Sequence, residues 1–194
     1  MAGIASLGLA LSSSENLREL QLHGNQIFDD GAAQLFRGLE EANAITTLNL
    51  SQCRLKSCLW SIHIRNISSL CTLLLAYNQI DESGLETLFE SLEASCCLRH
   101  LDLSHNLFGT MQSLNMPRFI RANGGILSLN VSGNPLCQVF QNVFAEAVAE
   151  SISLLTVDIT LCGISAEQSK NLQEVMTKKR MIQYLPVLIK DLLD

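Results

Sequence analysis

Seven cysteines and four histidines are the residues of this 194-residue chain best suited to metal binding or nucleophilic chemistry. The cysteines are Cys53, Cys58, Cys71, Cys96, Cys97, Cys137 and Cys162. A zinc site wants ligands paired at short spacing, and no pair here has the C-x2-C arrangement. Their number is odd and two are adjacent, which argues against a disulfide framework. Free buried thiols in a reducing compartment account for them most simply. The histidines, His23, His63, His100 and His105, have no obvious nucleophile companion. His23 follows Leu22 whereas His100 precedes Leu101, so these two are not a stacked pair. No glycine loop of the phosphate-binding kind occurs. The residues therefore predict no catalytic, cofactor-binding or metal site, and a protein that is not an enzyme.

Charge and hydropathy narrow the partners. The formal net charge is −6, with 47% hydrophobic and 16% charged residues. Such a chain has ample material for a core and lacks the clustered Lys and Arg that a nucleic-acid surface wants. Its one dense basic run, Lys178-Lys179-Arg180, reads as a solvated helix end. No stretch approaches the 18 apolar residues of a membrane span. Glycosylation-type triplets at Asn49, Asn66 and Asn130 have no secretion signal to give them meaning. The expected setting is intracellular and cytoplasmic.

What organises these residues is a repeat. The pattern LxxLxLxxN/C begins at Leu17, Ile45, Leu70, Leu98, Ile126 and Leu154. Its final position falls at Asn25, Cys53, Asn78, Asn106, Asn134 and Cys162, with spacings of 28, 25, 28, 28 and 28. Leu20 and Leu22 alternate with Glu19, Gln21 and His23, so a short strand buries its leucines and shows its polar side chains. At the strand's end the Asn side chain can satisfy backbone groups left unpaired by the turn, and Cys can do so more weakly. The second half of each unit is helical: Gly31, Leu35 and Leu39 recur as Gly84, Leu88 and Leu92 on one helix face. Ser83-Gly-Leu-Glu86 and Ser165-Ala-Glu-Gln168 carry capping-box spacing at two predicted helix starts.

The same register extends backwards. Gly3, Leu7 and Leu11 stand 28 residues before Gly31, Leu35 and Leu39, so residues 3–16 read as the helical half of a unit without a strand, not as a signal peptide. This predicts either further repeats N-terminal to residue 1 or something else covering that end. The second unit is short and lacks the glycine, but Trp60 falls in register with Leu35 and Leu88 and is expected to be buried. In the fourth, a short helix is expected to start at Pro117 and run through Phe119 and Ile120. A helix over about residues 166–179 follows the last strand. The array thus occupies 1–180, and 181–194 is a separate apolar segment that either caps it or binds a partner.

The period, the strand pattern and the GxxxLxxxL helix together resemble the ribonuclease-inhibitor-like leucine-rich-repeat family. The resemblance implies an α/β solenoid, a curved horseshoe segment with parallel strands on the concave face and helices on the convex face. It also implies binding in place of catalysis, since members of the class serve as enzyme inhibitors, immune-sensor repeat domains, actin cappers, GTPase activators and axonemal parts. On such a fold the concave face is the default protein-binding surface, read here as Glu19, Gln21, His23, Asn49, Leu74, Tyr77, His100, Asp102, Asn130 and Asp158. Leu74 and Tyr77 are the candidate anchors and His23, His100 and Asp102 the polar contacts. The expected function is a non-catalytic protein–protein interaction scaffold in a larger cytoskeletal or ciliary complex. A regulator of an enzyme (inhibitor or GTPase activator) and the repeat domain of an immune sensor are the alternatives.

Overall fold

A computed structural model describes residues 2–41, 44–93, 97–109 and 115–190, with side chains from 180 onward, and at 2 and 138–140, outside the description. Six three-residue strands form one parallel sheet in chain order: β1 (Glu19–Gln21), β2 (Thr47–Asn49), β3 (Thr72–Leu74), β4 (His100–Asp102), β5 (Ser128–Asn130) and β6 (Thr156–Asp158). Each pairs with the next so that Leu20, Leu48, Leu73, Leu101, Leu129 and Val157 share one row. Helices return the chain between strands: α1 (Ala2–Ser12), α2 (Phe28–Glu41), α3 (Glu82–Glu93), α4 (Asn115–Ala122), α5 (Gln138–Glu150) and α6 (Ala166–Lys190). The core lies between sheet and helices, where strand leucines such as Leu48, Leu50, Leu73 and Leu75 meet helix residues such as Leu35, Leu88 and Phe144.

The repeat's last position holds the inner corner together. Asn78 Nδ2 donates to Leu75 O of its own unit (2.9 Å) and to Leu50 O of the unit before (3.0 Å). Its Oδ1 accepts the backbone N–H groups of Cys53 (2.9 Å) and Leu55 (3.0 Å). Asn106 and Asn134 repeat the donor pattern on Leu75, Leu103 and Val131. Buried backbone groups at these turns rely on such side chains, and each would cost about 1–3 kcal/mol unpaired. Cys53 Sγ (3.3 Å to Leu22 O) and Cys162 Sγ (3.2 Å to Val131 O) keep the donor half of the rung. A thiol has no strong acceptor to supply the rest. Burial raises the pKa of both thiols, which keeps them protonated and donating. Among the described residues no two cysteines are joined in a disulfide; Cys96 lies outside them.

The residue before each rung takes a left-handed backbone: Gly24, Gln52, Tyr77, His105, Gly133 and Leu161, with φ between 52° and 75°. Two glycines accept this without strain, whereas the other four hold it against a steric penalty on the order of 1 kcal/mol. Their side chains are thereby turned outward along the rim where the strands end.

The short second unit replaces its α-helix with a 3-10 helix, Leu59–Asn66. Eight residues of 3-10 helix at about 2.0 Å each cover roughly 16 Å, which would take about eleven residues of α-helix at about 1.5 Å each. That saving of about three residues matches the shortfall between the 28-residue and 25-residue registers (Thr47 from Glu19, Thr72 from Thr47). Such a long 3-10 run needs support. Asp29 supplies it by accepting the N–H groups of Lys56, Ser57 and the indole of Trp60 at 3.1–3.2 Å. Trp60 is buried as its register requires and stacks on Phe36 with centroids 4.8 Å apart. At the far end Glu40 accepts from Asn66 (2.6 Å) and meets His63 Nδ1 at 2.8 Å, contacts that hold its carboxyl below the usual range.

Helix starts followed expectation unevenly. Gln168 N donates to Ser165 Oγ (3.2 Å) and Ser165 N to Gln168 Oε1 (3.1 Å), a complete capping box before α6. At α3 the expected cap, Ser83, lies inside the helix; Asp81 caps instead, accepting from Gly84 N at 3.0 Å. A carboxylate there also complements the positive end of the helix dipole. In α4 the helix opens two residues before Pro117, whose missing N–H belongs to the first turn and has no intrahelical partner to lose. α6 runs unbroken past residue 180 to Lys190, so the backbone has no boundary at 180/181. The cap proposed for the apolar residues beyond it lies outside the described side chains.

The N-terminal half-unit is a packed helix. A Cβ on Gly38 of α2 would stand 2.1 Å from Gly8 O of α1, so only glycine permits the two backbones this approach.

Two stability outcomes follow. Asn106→Ala should lower unfolding free energy by about 2–4 kcal/mol, and Asn106→Cys by distinctly less, because the thiol restores the donor half; urea midpoints would show the order. Gly38→Ala, which in an exposed helix would stabilise by up to about 1 kcal/mol, should instead destabilise by about 1–3 kcal/mol through overpacking. A rise in melting temperature would contradict the close contact.

Candidate protein-binding surface

The sheet's outward side chains fall into rows fixed by strand register. One row runs Glu19, Thr47, Thr72, His100, Ser128, Thr156; the next runs Gln21, Asn49, Leu74, Asp102, Asn130, Asp158. His100 thus belongs to the first row, while His23 lies past the end of β1, so the two are not stacked.

In the second row, part of the hydrogen-bonding capacity is used locally. Asn49, Asp102, Asn130 and Asp158 each accept, through Oδ1, the backbone N–H two residues on, at 2.9–3.0 Å. These are side-chain turns that close each strand. Asn49 Nδ2 also donates to Gln21 Oε1 (2.8 Å). What each keeps for a partner is one remaining oxygen or amide. Leu74 breaks the row with a partly buried apolar side chain that makes no such turn.

Tyr77 belongs to the rim, not to a strand row: it occupies the left-handed turn after β3. Its ring is 55% exposed and stacks face to face on His105, centroids 4.2 Å apart and planes 9° from parallel. His105 in turn lies over Gly133, where a Cβ would approach its ring to 2.4 Å; with φ at +70° as well, that position admits only glycine. Leu107, 57% exposed, stands beside this stack two residues on. Farther along the same side, the Arg54 guanidinium sits over the Phe28 ring at 5.6 Å. His105 and Arg54 were absent from the predicted surface. The signal was available for His105, which stands 28 residues after Tyr77 at the same place in the repeat.

A cleft of about 310 Å³ between α5 and α6 is lined by Leu136, Phe144, Ile159, Ile164 and Leu172, with Gln141 and Gln168 as polar neighbours. Among the described residues no group of three metal-ligating side chains converges, and no helix is long and apolar enough to cross a membrane.

Comparison with known proteins agrees with the geometry. The "Leucine Rich repeat" family model matches residues 13–36 and 94–109. Ribonuclease inhibitor of Sus scrofa is 25% identical over 92% of this chain, and that of Mus musculus 26% over 91%. The chain spans about two fifths of the length of these relatives (41% and 40%). NACHT, LRR and PYD domains-containing protein 12 of Mus musculus is 25% identical over 98% of the chain and 19% of its own length. Among solved structures, the tropomodulin C-terminal domain of Caenorhabditis elegans superposes with a TM-score of 0.57 at 15% identity, covering 96% of this chain and 97% of its own. Leiomodin-1 Actin-Binding Site 2 gives 0.56 at 13%, covering 97% and 94%. With the strand pattern, the parallel sheet and the Asn/Cys rung all in one register, the chain is an α/β leucine-rich-repeat solenoid similar to the ribonuclease inhibitors.

Proposed function

We propose that this chain is a non-catalytic scaffold that binds a protein partner within a larger intracellular complex, cytoskeletal or ciliary in kind. The observation that carries this reading is the rim stack of Tyr77 on His105, beside exposed Leu107 and next to the sheet's open face. An exposed aromatic ring already held rigid by stacking loses little freedom on binding, which suits an anchor. Leu74 would then add an apolar contact, and the concave residues Glu19, Gln21, His23, Asn49, His100, Asp102, Asn130 and Asp158 would act as a polar field around that anchor. Its mixed acidic and neutral character suits a protein better than a nucleic acid.

A second reading, regulation of an enzyme, draws on the ribonuclease inhibitors, which match more than nine tenths of the chain. A sheet face with few aromatic or acidic residues favours it less, since a tight inhibitor needs several buried anchors. The immune-sensor alternative shares the same support from NACHT-containing relatives.

Affinity purification of the tagged chain from cell extract should recover one stoichiometric partner, and Tyr77→Ala should weaken that complex at least about tenfold, or more than 1.4 kcal/mol, without lowering the melting temperature. A clean monomer with no partner would count against both readings. Acceleration of GTP hydrolysis by a small GTPase, or inhibition of a ribonuclease, would displace the scaffold in favour of enzyme regulation.

A further inference from the structure

The rim where the strands end differs in charge from the rest of the molecule. The chain carries 19 Asp and Glu against 13 Lys and Arg. Yet the turns that follow the six strands, residues 23–26, 51–54, 76–79, 104–107, 132–135 and 160–163, contain no Asp or Glu. Their ionisable groups are His23, Arg54, Tyr77, His105 and the rung cysteines Cys53 and Cys162. Backbone bonds set the turns side by side: Gln52 N to Ala76 O, Tyr77 N to Ser104 O and His105 N to Ser132 O, at 2.7–2.9 Å. The rim is therefore one continuous strip without carboxylates along the edge of an acidic protein.

Within the strip, Arg54 carries a charge without a counter-ion. Its guanidinium rests over the Phe28 ring at 5.6 Å, and none of the ion pairs among the described residues includes it. Ring contact holds a guanidinium by its face and leaves its N–H fork to meet a carboxylate. Carboxylates on the flanking elements are committed elsewhere. Asp29 holds the 3-10 helix, Asp81 faces Lys56 Nζ at 3.8 Å, and Asp102 and Asp158 close their own turns. Arg54 and Leu107 each stand one residue after a rung, two units apart, with Tyr77 in the unit between. At about 4.8 Å per strand their backbones are roughly 10 Å apart, the length of about three residues of extended chain.

We propose that the rim binds an acidic, extended segment of the partner protein, with an Asp or Glu on Arg54 and, about three residues along, an aromatic or aliphatic side chain against Tyr77 and Leu107. The proposal rests on the rim-anchor reading above and adds the partner's chemistry to it. The apolar half is supported by exposure, since Tyr77 and Leu107 each show more than half of their surface. Charge supports the acidic half. A partner carboxylate meets no like charge within the strip, whereas the exposed Glu86 and Glu90 of α3 repel it, so encounter is steered to the rim. Single-stranded nucleic acid also stacks on aromatic rings, but it needs cations along its backbone, and the strip supplies one arginine.

The probe is a phage-displayed library of random peptides panned on the intact chain. Recovered peptides should share an Asp or Glu spaced about three residues from Trp, Tyr, Phe or Leu. Measured by fluorescence anisotropy, these peptides should bind Arg54→Glu at least about tenfold more weakly. Arg54→Asn should show a smaller loss, because it removes the charge while suiting the left-handed backbone there (φ 60°). Arg118→Glu, on the exposed side of α4, changes the net charge equally and should leave binding unchanged; circular dichroism verifies the fold of each variant. A library that returns basic or uncharged peptides, or acidic peptides that bind both Arg54 variants as well as the parent chain, would overturn the proposal. So would an oligothymidylate that binds more tightly than any recovered peptide. Tyr77→Ala separates the two readings: a loss with it but with neither Arg54 variant keeps the rim anchor and removes the acidic segment, and no loss with any of the three removes both.

Discussion

Strands of three residues cannot sustain a sheet by their ladders alone, and the turn that ends each one folds carbonyls into the core. The side-chain amide at the last repeat position resolves both difficulties. By donating to a carbonyl of its own unit and one of the unit before, and accepting N–H groups in return, Asn78 ties two turns into one buried network. Everything else in the molecule is spaced by that network: the strands are parallel because each rung must meet the same atoms in the next unit, and the helices are set wherever 28 residues of chain return them. Where the return is shortened, helical geometry gives way and the rung does not.

This ordering explains what the amino-acid pattern revealed. Leucine alternation and the Asn/Cys position are imposed on every unit by burial, so they stand out against a variable background, and strand register, sheet order and the burial of Trp60 could all be read from them. Choices left to local competition were harder to see. Two residues with capping chemistry, Asp81 and Ser83, stand where α3 begins, and only three-dimensional structure shows that the carboxylate wins. A 3-10 helix in the second unit depends on Asp29, 27 to 31 residues away from the groups it holds, and no local pattern announces it.

The candidate binding surface was legible in position but not in availability. Sequence alternation shows that Asn49, Asp102, Asn130 and Asp158 point outward. That each also closes the turn after its strand depends on backbone geometry two residues away. Tyr77 was identified by residue type, yet its neighbour His105 matters through a stacking contact between units. A face whose polar groups are partly satisfied at home presents less binding energy than its composition suggests, which moves attention to the rim.

The left-handed turn residues bear on how such a protein can change. At Gly24 and Gly133 the backbone adopts this conformation freely, while Gln52, Tyr77, His105 and Leu161 adopt it against steric resistance. Glycine at those four places would give a calmer fold and a blank rim. The positions where this solenoid displays side chains along its edge are therefore the ones where display and stability oppose each other. A lineage selected for robustness alone would drift toward a smooth, glycine-lined border and lose its means of recognition there first.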